Sequence, residues 1–475
     1  MDWVLLLWSG FLSFLLLWFW RRSSQKERRD QIPKGSLGWP LIGETLHFIA
    51  STHSSNPVSF MQKRAALYGR VFKSHILGRR VIISTDAGVN KAILQNNGSF
   101  VPYYPKSLAS LLGENSILRI HGSMHKRVHS LLGRFFKSPA VKDQVSREFK
   151  DTLHLSMKEW KEGQVVLIQD EAQKITFQVL IRVLLGLGPG EEVDRLFKEF
   201  KIFAEGHVSV PVNLPGTKMY YAMKARESIK LFVDEIIKER MKKLPNTTGE
   251  MKDVIDMLLN EIESKKDGEL TADFICGNII EMMMPGESTM PTLFTLAVKH
   301  LSDSPLALKE LLEENMELKK RKIHEGEEYE WADYMSLEFT QYVISESLRL
   351  GNLILATWRK TLKDVNIDGY LFPEGSCVLT CIGSVHLNEE NYEHPYDFNP
   401  WRWKKNEVKM YSNNFIPFGS GGRLCPGYDL ARLAASVFLH HLVTNQRWVA
   451  EEDYIDNFPN VHLKRRMPIR ISPIS

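Results

Sequence analysis

The chain has 475 residues, of which 43% are hydrophobic and 25% charged, the balance of a folded protein with a substantial core. Its formal net charge of +4, with no basic block outside the N-terminus, argues against a nucleic-acid partner. Four cysteines, Cys276, Cys377, Cys381 and Cys425, are too few for a disulfide framework, and Cys377 and Cys381 lack the second pair a zinc site needs, so a reducing compartment is expected.

The chain opens MDWVLLLWSGFLSFLLLWFWRR, where only Ser9, Gly10 and Ser13 interrupt an apolar run from Trp3 to Trp20. About 18 residues is near the lower limit for a helix that crosses a bilayer, and Trp3, Trp18 and Trp20 suit the aromatic belt at its interfaces. A cleaved signal peptide has a shorter apolar region and a small-residue cleavage site. Here the run meets Arg21 and Arg22 directly, so a transmembrane signal anchor is expected over residues 1–22. Lys26, Arg28 and Arg29 add to the positive charge after the span, while only Asp2 precedes it. Positive flanks stay cytosolic, which places the rest of the chain in the cytosol. The glycosylation triplets at Asn97 and Asn246 would matter only in a lumenal domain. Residues 23–43 are basic and then rich in Pro and Gly (Pro33, Gly35, Gly38, Pro40, Gly43), and read as a stiff hinge ahead of a globular domain over 44–475.

Residues 71–75 and 80–84 are short and β-branched around Gly78 and predict a strand hairpin. From about 140 to 243 the pattern is mainly helical, with breaks at 186–190 and 211–216. Helices are expected over 254–264, 271–301 (long and apolar), 306–322 and 337–350, strands over 365–370 and 377–381, and a last helix over 427–445. The class is mainly α with small β-sheets, without the strand–helix alternation of a parallel sheet. GLGPGE, residues 186–191, is no dinucleotide fingerprint because Glu191 holds the last glycine position, and no P-loop occurs, so no flavin or NAD(P) site is expected.

The stretch with most chemistry is FGSGGRLCPG, residues 418–427. A thiolate that ligates a metal from one side needs backbone folded tightly around it, which glycines permit. Backbone N–H groups and the N-terminus of the following helix favour an anionic sulfur. Arg423 suits a carboxylate on the bound group. A lone cysteine is more often inert and buried, but the pattern FxxGxRxCxG is complete here, with Phe418, Gly421, Arg423, Cys425 and Gly427 all in place.

This loop resembles the haem-binding loop of the cytochromes P-450, the haem-thiolate monooxygenases, and other marks of that family follow along almost the whole chain. Glu346 and Arg349 form an ExxR pair, with Arg402 of FNPWRW as the third member of a buried charge network. Arg359 matches a strand arginine that meets a haem propionate, and His125 and His129 stand where many members have Trp and Arg near a propionate. On the long helix, Pro285, Gly286, Glu287, Ser288 and Thr289 correspond to the oxygen-side motif. Thr289 fits the hydroxyl that assists proton delivery, and Gly286 is expected to permit close approach to the oxygen pocket. Ser288 stands at the usual acid position, which leaves the relay to Glu287 or to water. Pro285 and Pro291 are expected to distort the helix. Met283, Ile354, Leu355, Ala356 and Thr357 correspond to substrate-facing positions.

The resemblance implies a cytochrome P-450 fold, haem b with Cys425 as axial ligand to iron, and dioxygen as co-substrate. It also implies electrons from NADPH-cytochrome P-450 reductase at the endoplasmic-reticulum membrane. Lys126, Arg127, Arg134 and Lys404 or Lys405 are candidate docking charges for that partner, with an ordinary solvated face as the alternative. GSLGWPLIGETLHF, YGRVFKSHI, FVPYYPKS, FNPWRW and FLHHLVTNQRWVAEED are similar to plant steroid hydroxylases of brassinosteroid biosynthesis that oxidise the sterol side chain at C-22 or C-23. PGEST and NLILATWRK depart from that pattern and keep open a related cholesterol hydroxylase of steroidal saponin or alkaloid biosynthesis. A haem protein that binds steroid without turnover is the reading from another class.

Overall fold

A computed structural model describes residues 31–473 except 55, 208, 244–251, 266, 267, 269, 405–411 and 459. The expected anchor over 1–22, Asn246 and Lys405 lie outside the described residues. Among the described residues no helix is long and apolar enough to cross a membrane.

The expected hairpin forms from β1 (Val71–Ile76) and β2 (Arg79–Ser84), with Ile76 opposite Arg79. Leu77 and Gly78 both take positive φ, 51° and 72°, the backbone a two-residue hairpin turn requires. Three more strands complete the sheet: β3 (Phe100–Pro102), β4 (Ala356–Thr361) and β5 (Cys377–Cys381), in the order β1-β2-β5-β4-β3. Only the β2–β5 pairing is parallel. The hinge runs onto this sheet: Gly35 bridges to Lys73, and a Cβ at Gly35 would sit 2.0 Å from the Lys73 carbonyl oxygen.

The strand-like material expected over 365–370 is a hairpin of Val365–Ile367 with Tyr370–Phe372. Asp368 and Gly369 turn it, both at positive φ, the conformation an Asp-Gly hairpin turn takes. The helical stretch holds, with breaks where glycine and proline placed them, in helices Pro139–Glu159, Ile168–Leu185, Glu191–Glu205 and Lys218–Lys243. Val165–Leu167 within it is a strand of a separate three-stranded sheet with Gln446–Ala450 and Pro468–Pro473.

Six helices position the site: α1 (Gly122–Lys137), α2 (Ile168–Leu185), α3 (Ala272–Met282), α4 (Thr289–Asp303), α5 (Glu338–Gly351) and α6 (Tyr428–Asn445). α3 and α4 are the two halves of the long apolar helix, separated by one turn, Met284–Glu287, so the distortion expected at Pro285 is a break. Phe294 of α4 stacks on Phe438 of α6 at 4.8 Å, and both are buried in the main core. Gly351, the last residue of α5, has no room for a Cβ, which would lie 2.5 Å from Leu296 of α4. α4, α5 and α6 thus form one packed unit, and α5 delivers Glu346 and Arg349 to its interior.

Candidate active site

The cysteine loop is shaped by two glycines at positive φ, Gly419 (79°) and Gly421 (68°). The Cys425 N–H donates to the Phe418 carbonyl at 3.0 Å, so the loop closes on itself across the span of its sequence pattern. The glycines also serve an outside contact that sequence reading missed. A Cβ on Gly421 would lie 2.6 Å from the Leu94 carbonyl oxygen, and one on Gly422 would lie 2.4 Å from Asn97 Nδ2. They let the loop rest on the C-terminal end of helix Ala87–Gln95. Burial pushes the Cys425 thiol up, and the Gly427 N–H, at the start of α6, pulls it down. A cation at the sulfur is the remaining means of keeping it a thiolate.

Two arginines supply positive charge here, Arg423 within the loop and Arg359 on β4. Arg423 donates through Nη1 to the carbonyls of Ile117 (2.9 Å) and Leu118 (3.4 Å), and through Nη2 to that of Ile120. Of the five N–H groups of a guanidinium, those three bonds leave two, and Arg423 has no carboxylate partner among the described residues. Arg359 on β4 is 7% exposed, donates only to the Trp358 carbonyl (2.9 Å), and likewise lacks an acid among the described residues. Burial lowers both guanidinium pKa values, that of Arg423 to about 10, so both stay charged at neutral pH. Tyr104 interacts with both and pulls them back up, while burial raises its own pKa against the two arginines. It lines a cavity of about 480 Å³ together with Arg119 and Ile120. Tyr104 was not expected from sequence. Its signal is register: Pro102 pairs with Arg359, which brings the following two tyrosines to the arginine.

His125 and His129 stack along α1 at 5.3 Å. Burial lowers His125 to about 3, with Arg423 and His129 adding to the effect, so its expected pH-dependent charge is replaced by a neutral ring. His129 Nε2–H donates to the Leu424 carbonyl at 2.7 Å, which ties α1 to the residue before the cysteine.

The charge network assembles as the resemblance implied. Glu346 and Arg349 are both 0% exposed. Arg349 grips the carboxylate with Nε to Oε2 (2.9 Å) and Nη2 to Oε1 (2.8 Å), and Arg402 Nε reaches Oε1 at 2.9 Å. Two donors unread in the sequence complete the shell: Trp403 Nε1–H to Oε2 (3.0 Å) and the Asn399 N–H to Oε1 (3.1 Å). Tyr392 lies under both guanidinium groups, at 4.8 and 5.9 Å.

On the oxygen side the break between α3 and α4 is turned differently from expectation. A Cβ on Gly286 would lie 2.9 Å from Leu180 of α2, so this glycine permits close packing of the turn on α2. The carbonyls freed by the break are taken by α2: Thr176 Oγ1 donates to Gly286 O, and Gln173 Nε2 to Glu287 O at 3.0 Å. Gln173 also donates to Glu287 Oε1 at 3.2 Å, so this carboxyl faces α2. Burial raises its pKa, against the pull of Lys201 and Arg466. Ser288 bonds back to the Met284 carbonyl at 3.1 Å, and the Thr289 hydroxyl makes no hydrogen bond among the described residues.

Met283 is a correction: it is fully buried in the main core, whereas Met282 and Met284 are partly open. Ile354 is 46% exposed in the turn before β4. Thr357 shares the sheet face of Arg359 and pairs with Thr380 at 2.7 Å, while Leu355 and Ala356 pack against the Phe72 cluster.

α3 also pins the segment that feeds Arg423. Asn278 Oδ1 accepts the Ile117 N–H at 2.6 Å, and Glu281 Oε2 accepts the Ser116 hydroxyl at 2.7 Å. Glu281 is 6% exposed, its Oε1 has no partner, and burial pushes its pKa up to about 8, with Ser116 and the Leu118 N–H opposing.

A partly open sulfur in a closed loop, a positive cradle without an acid among the described residues, and an unbonded hydroxyl on a broken helix fit a haem: Cys425 for the iron, Arg423, Arg359 and Tyr104 for its two propionates. Known proteins agree. Two Arabidopsis thaliana enzymes, both named 3-epi-6-deoxocathasterone 23-monooxygenase, are similar to this chain. CYP90C1 is 49% identical over 99% of this chain and 92% of its own length. CYP90D1 is 50% identical over 94% and 90%. A steroid (22S)-hydroxylase of Brachypodium distachyon is 36% identical over 96% of this chain and 90% of its own. Retinoic acid-bound cyanobacterial CYP120A1 superposes with a TM-score of 0.81 over 94% of this chain and 99% of that one, at 22% identity, which shows the same fold. The family model for Cytochrome P450 matches residues 33–470, and the chain belongs to that family of haem-thiolate monooxygenases.

Proposed function

We propose that this enzyme hydroxylates a steroid side chain, at C-22 or C-23, in brassinosteroid biosynthesis. The observation that carries the reading is the identity of about one half, along nearly the whole chain, to two enzymes named as 23-monooxygenases of one steroid. A reading as a steroid binder without turnover falls away with the family assignment.

Thiolate-ligated haem iron, when bound, supplies dioxygen cleavage and insertion of one oxygen atom into a C–H bond. The chain supplies the rest. Arg359, Arg423 and Tyr104 would hold the propionates of haem b, with neutral His125 beside Arg423 as a further donor. The Glu346 network holds the loop that carries the sulfur. Thr289 Oγ1 is free to hold a proton or a water beside the broken helix, and Glu287 is turned to α2, so water takes the place of the acid absent at Ser288. Gln173 and Glu287 together keep the break open from behind.

Electrons come from NADPH-cytochrome P-450 reductase, since the chain carries no flavin or nicotinamide fingerprint. Lys126, Arg134 and Lys404 are exposed and suit an acidic docking partner. Arg127 is withdrawn from that set, because its Nε bonds Glu261 at 3.0 Å and the pair is largely buried. Residues 1–22 anchor the enzyme in the endoplasmic-reticulum membrane, residues 23–43 form the hinge, and the catalytic domain over 44–475 faces the cytosol.

A second reading, a cholesterol hydroxylase of saponin or alkaloid biosynthesis, is kept by the departures in PGEST and NLILATWRK, both beside the expected substrate pocket. The test is mass spectrometry of products from reductase-supplied membranes given cholesterol, campestanol-type and 22-hydroxylated sterols. Oxidation of a 22-hydroxylated substrate at C-23 supports the first reading. Product from cholesterol alone replaces it with the second, and no product from any sterol removes both.

A further inference from the structure

We propose that His386 is a positioning residue that couples the Glu346 network to the cysteine loop, by accepting the backbone N–H of Ile416 on Nε2. His386 ends the short helix Ile382–His386 that follows β5, and it is fully buried. Its Nε2 lies 3.1 Å from the Ile416 nitrogen. A backbone N–H can only donate, so Nε2 presents its lone pair and the ring hydrogen sits on Nδ1. Nδ1–H then donates to Asn352 Oδ1 at 2.9 Å. Burial lowers the ring to about 3, with Arg349 adding to the effect, which agrees with this neutral tautomer.

Both ends of the bridge matter. On one side, Asn352 is the left-handed cap of α5, at φ 43°, and the His386 carbonyl accepts Arg349 Nη1 at 2.9 Å. The imidazole is therefore fixed by the same helix and the same arginine that hold Glu346. On the other side, Ile416 leads into the loop. Its carbonyl accepts the Gly419 N–H at 3.0 Å, and the Phe418 carbonyl accepts that of Cys425 at 3.0 Å. Ile416 is itself buried, so its N–H has no water to turn to if the imidazole is removed. The path from carboxylate to sulfur is thus Glu346, Arg349, His386, Ile416 and the loop, each joined to the next by a hydrogen bond or a few residues of chain.

The chemistry of the acceptor separates positioning from packing. A glutamine places its amide oxygen near the site of Nε2, whereas an asparagine reaches only the site of Nδ1. His386→Gln should keep the Ile416 bond, and His386→Asn should keep only the contact with Asn352. Two readouts on the full-length protein decide. The first is hydrogen–deuterium exchange of the Ile416 amide, measured by mass spectrometry with fragment resolution. The second is the share of the reduced carbon monoxide complex that has lost the thiolate-type band. In His386→Asn the Ile416 amide should exchange about tenfold faster, the loss of one hydrogen bond, and the share without the thiolate band should rise several-fold. In His386→Gln both should stay within about twofold of wild type.

Equal behaviour of the two variants, an unchanged Ile416 amide in His386→Asn, or faster exchange without any change in the band overturns the proposal. Should His386→Asn fail to fold, His386→Gln decides alone: retained protection and band support the bridge, and their loss removes it. The inference rests on Cys425 as the iron ligand, and the exchange readout does not depend on that ligand. Wild-type protein with a protected Ile416 amide and no thiolate band would sink the ligand reading and, with it, the positioning role.

Discussion

Replacing Glu346 with glutamine tests the energetic core of the site. The wild-type carboxylate receives five hydrogen bonds: Oε1 from Arg349 Nη2, Arg402 Nε and the Asn399 N–H, and Oε2 from Arg349 Nε and Trp403 Nε1–H. A glutamine keeps one acceptor oxygen and presents an NH2 group where the other stood. It loses either two or three of those bonds and leaves two buried guanidinium groups without a counter-charge. Removing one partner from a buried ion pair costs roughly 3–5 kcal/mol, a large part of a total stability of about 5–15 kcal/mol. Trp403→Phe is the control, since it removes one donor and no charge, at a cost of about 1–3 kcal/mol. The assay is denaturant unfolding of the haem-loaded proteins, followed by haem absorbance and by far-ultraviolet circular dichroism. The loop signal should fall before the helical signal in Glu346→Gln, because the arginines also hold carbonyls of His386, Pro395 and Glu393. A Glu346→Gln protein that unfolds within about 0.5 kcal/mol of wild type would refute the reasoning, since that is the range of surface substitutions.

Glu281 carries a pH signature. Its folded-state pKa, pushed to about 8, lies above the unfolded value near 4.5, so the native state holds the extra proton between the two. Stability should therefore fall as pH rises from about 4.5 to 8, by up to ~1.4 kcal/mol per unit, and level off above. Glu281→Gln mimics the protonated acid and should flatten that slope in thermal melts. An unchanged slope removes the assignment. Arg359→Leu and Tyr104→Phe should each speed haem loss to an apo-globin acceptor, the arginine by tenfold or more and the tyrosine by several-fold. Equal retention in both would show that the cradle does not hold the propionates. Lys126→Ala with Arg134→Ala should weaken reductase binding most at low salt. Arg127→Ala should instead lower stability, through its pair with Glu261, and leave the salt dependence alone. The reverse pattern would restore Arg127 to the docking face.

Much of this site is legible from local pattern. The loop pattern around Cys425 and the i, i+3 pair Glu346–Arg349 are short-range spacings: the loop closes on itself from Phe418 to Cys425, and the pair makes its ion pair. What stayed hidden is what depends on chain that is remote in sequence. Trp403 joins Glu346 across 57 residues and His386 joins Ile416 across 30, and neither has any local mark. Orientation was the harder failure. Pro285 announced a disturbed helix, but not which neighbour Gly286 and Glu287 would meet. They turn to α2, where Thr176 and Gln173 wait for the freed carbonyls. The strand-like stretch over 365–370 holds, and Asp368-Gly369 is the turn signal that divides it into a hairpin.

The central claim is that the sulfur of Cys425 binds the haem iron, and the reduced carbon monoxide complex tests it most directly. The full-length enzyme should give the long-wavelength band diagnostic of thiolate ligation, and Cys425→Ala should lose it while keeping a folded helical spectrum. A wild-type complex with the shorter-wavelength band of an imidazole-ligated haem, or a thiolate band that survives in Cys425→Ala, would contradict the account.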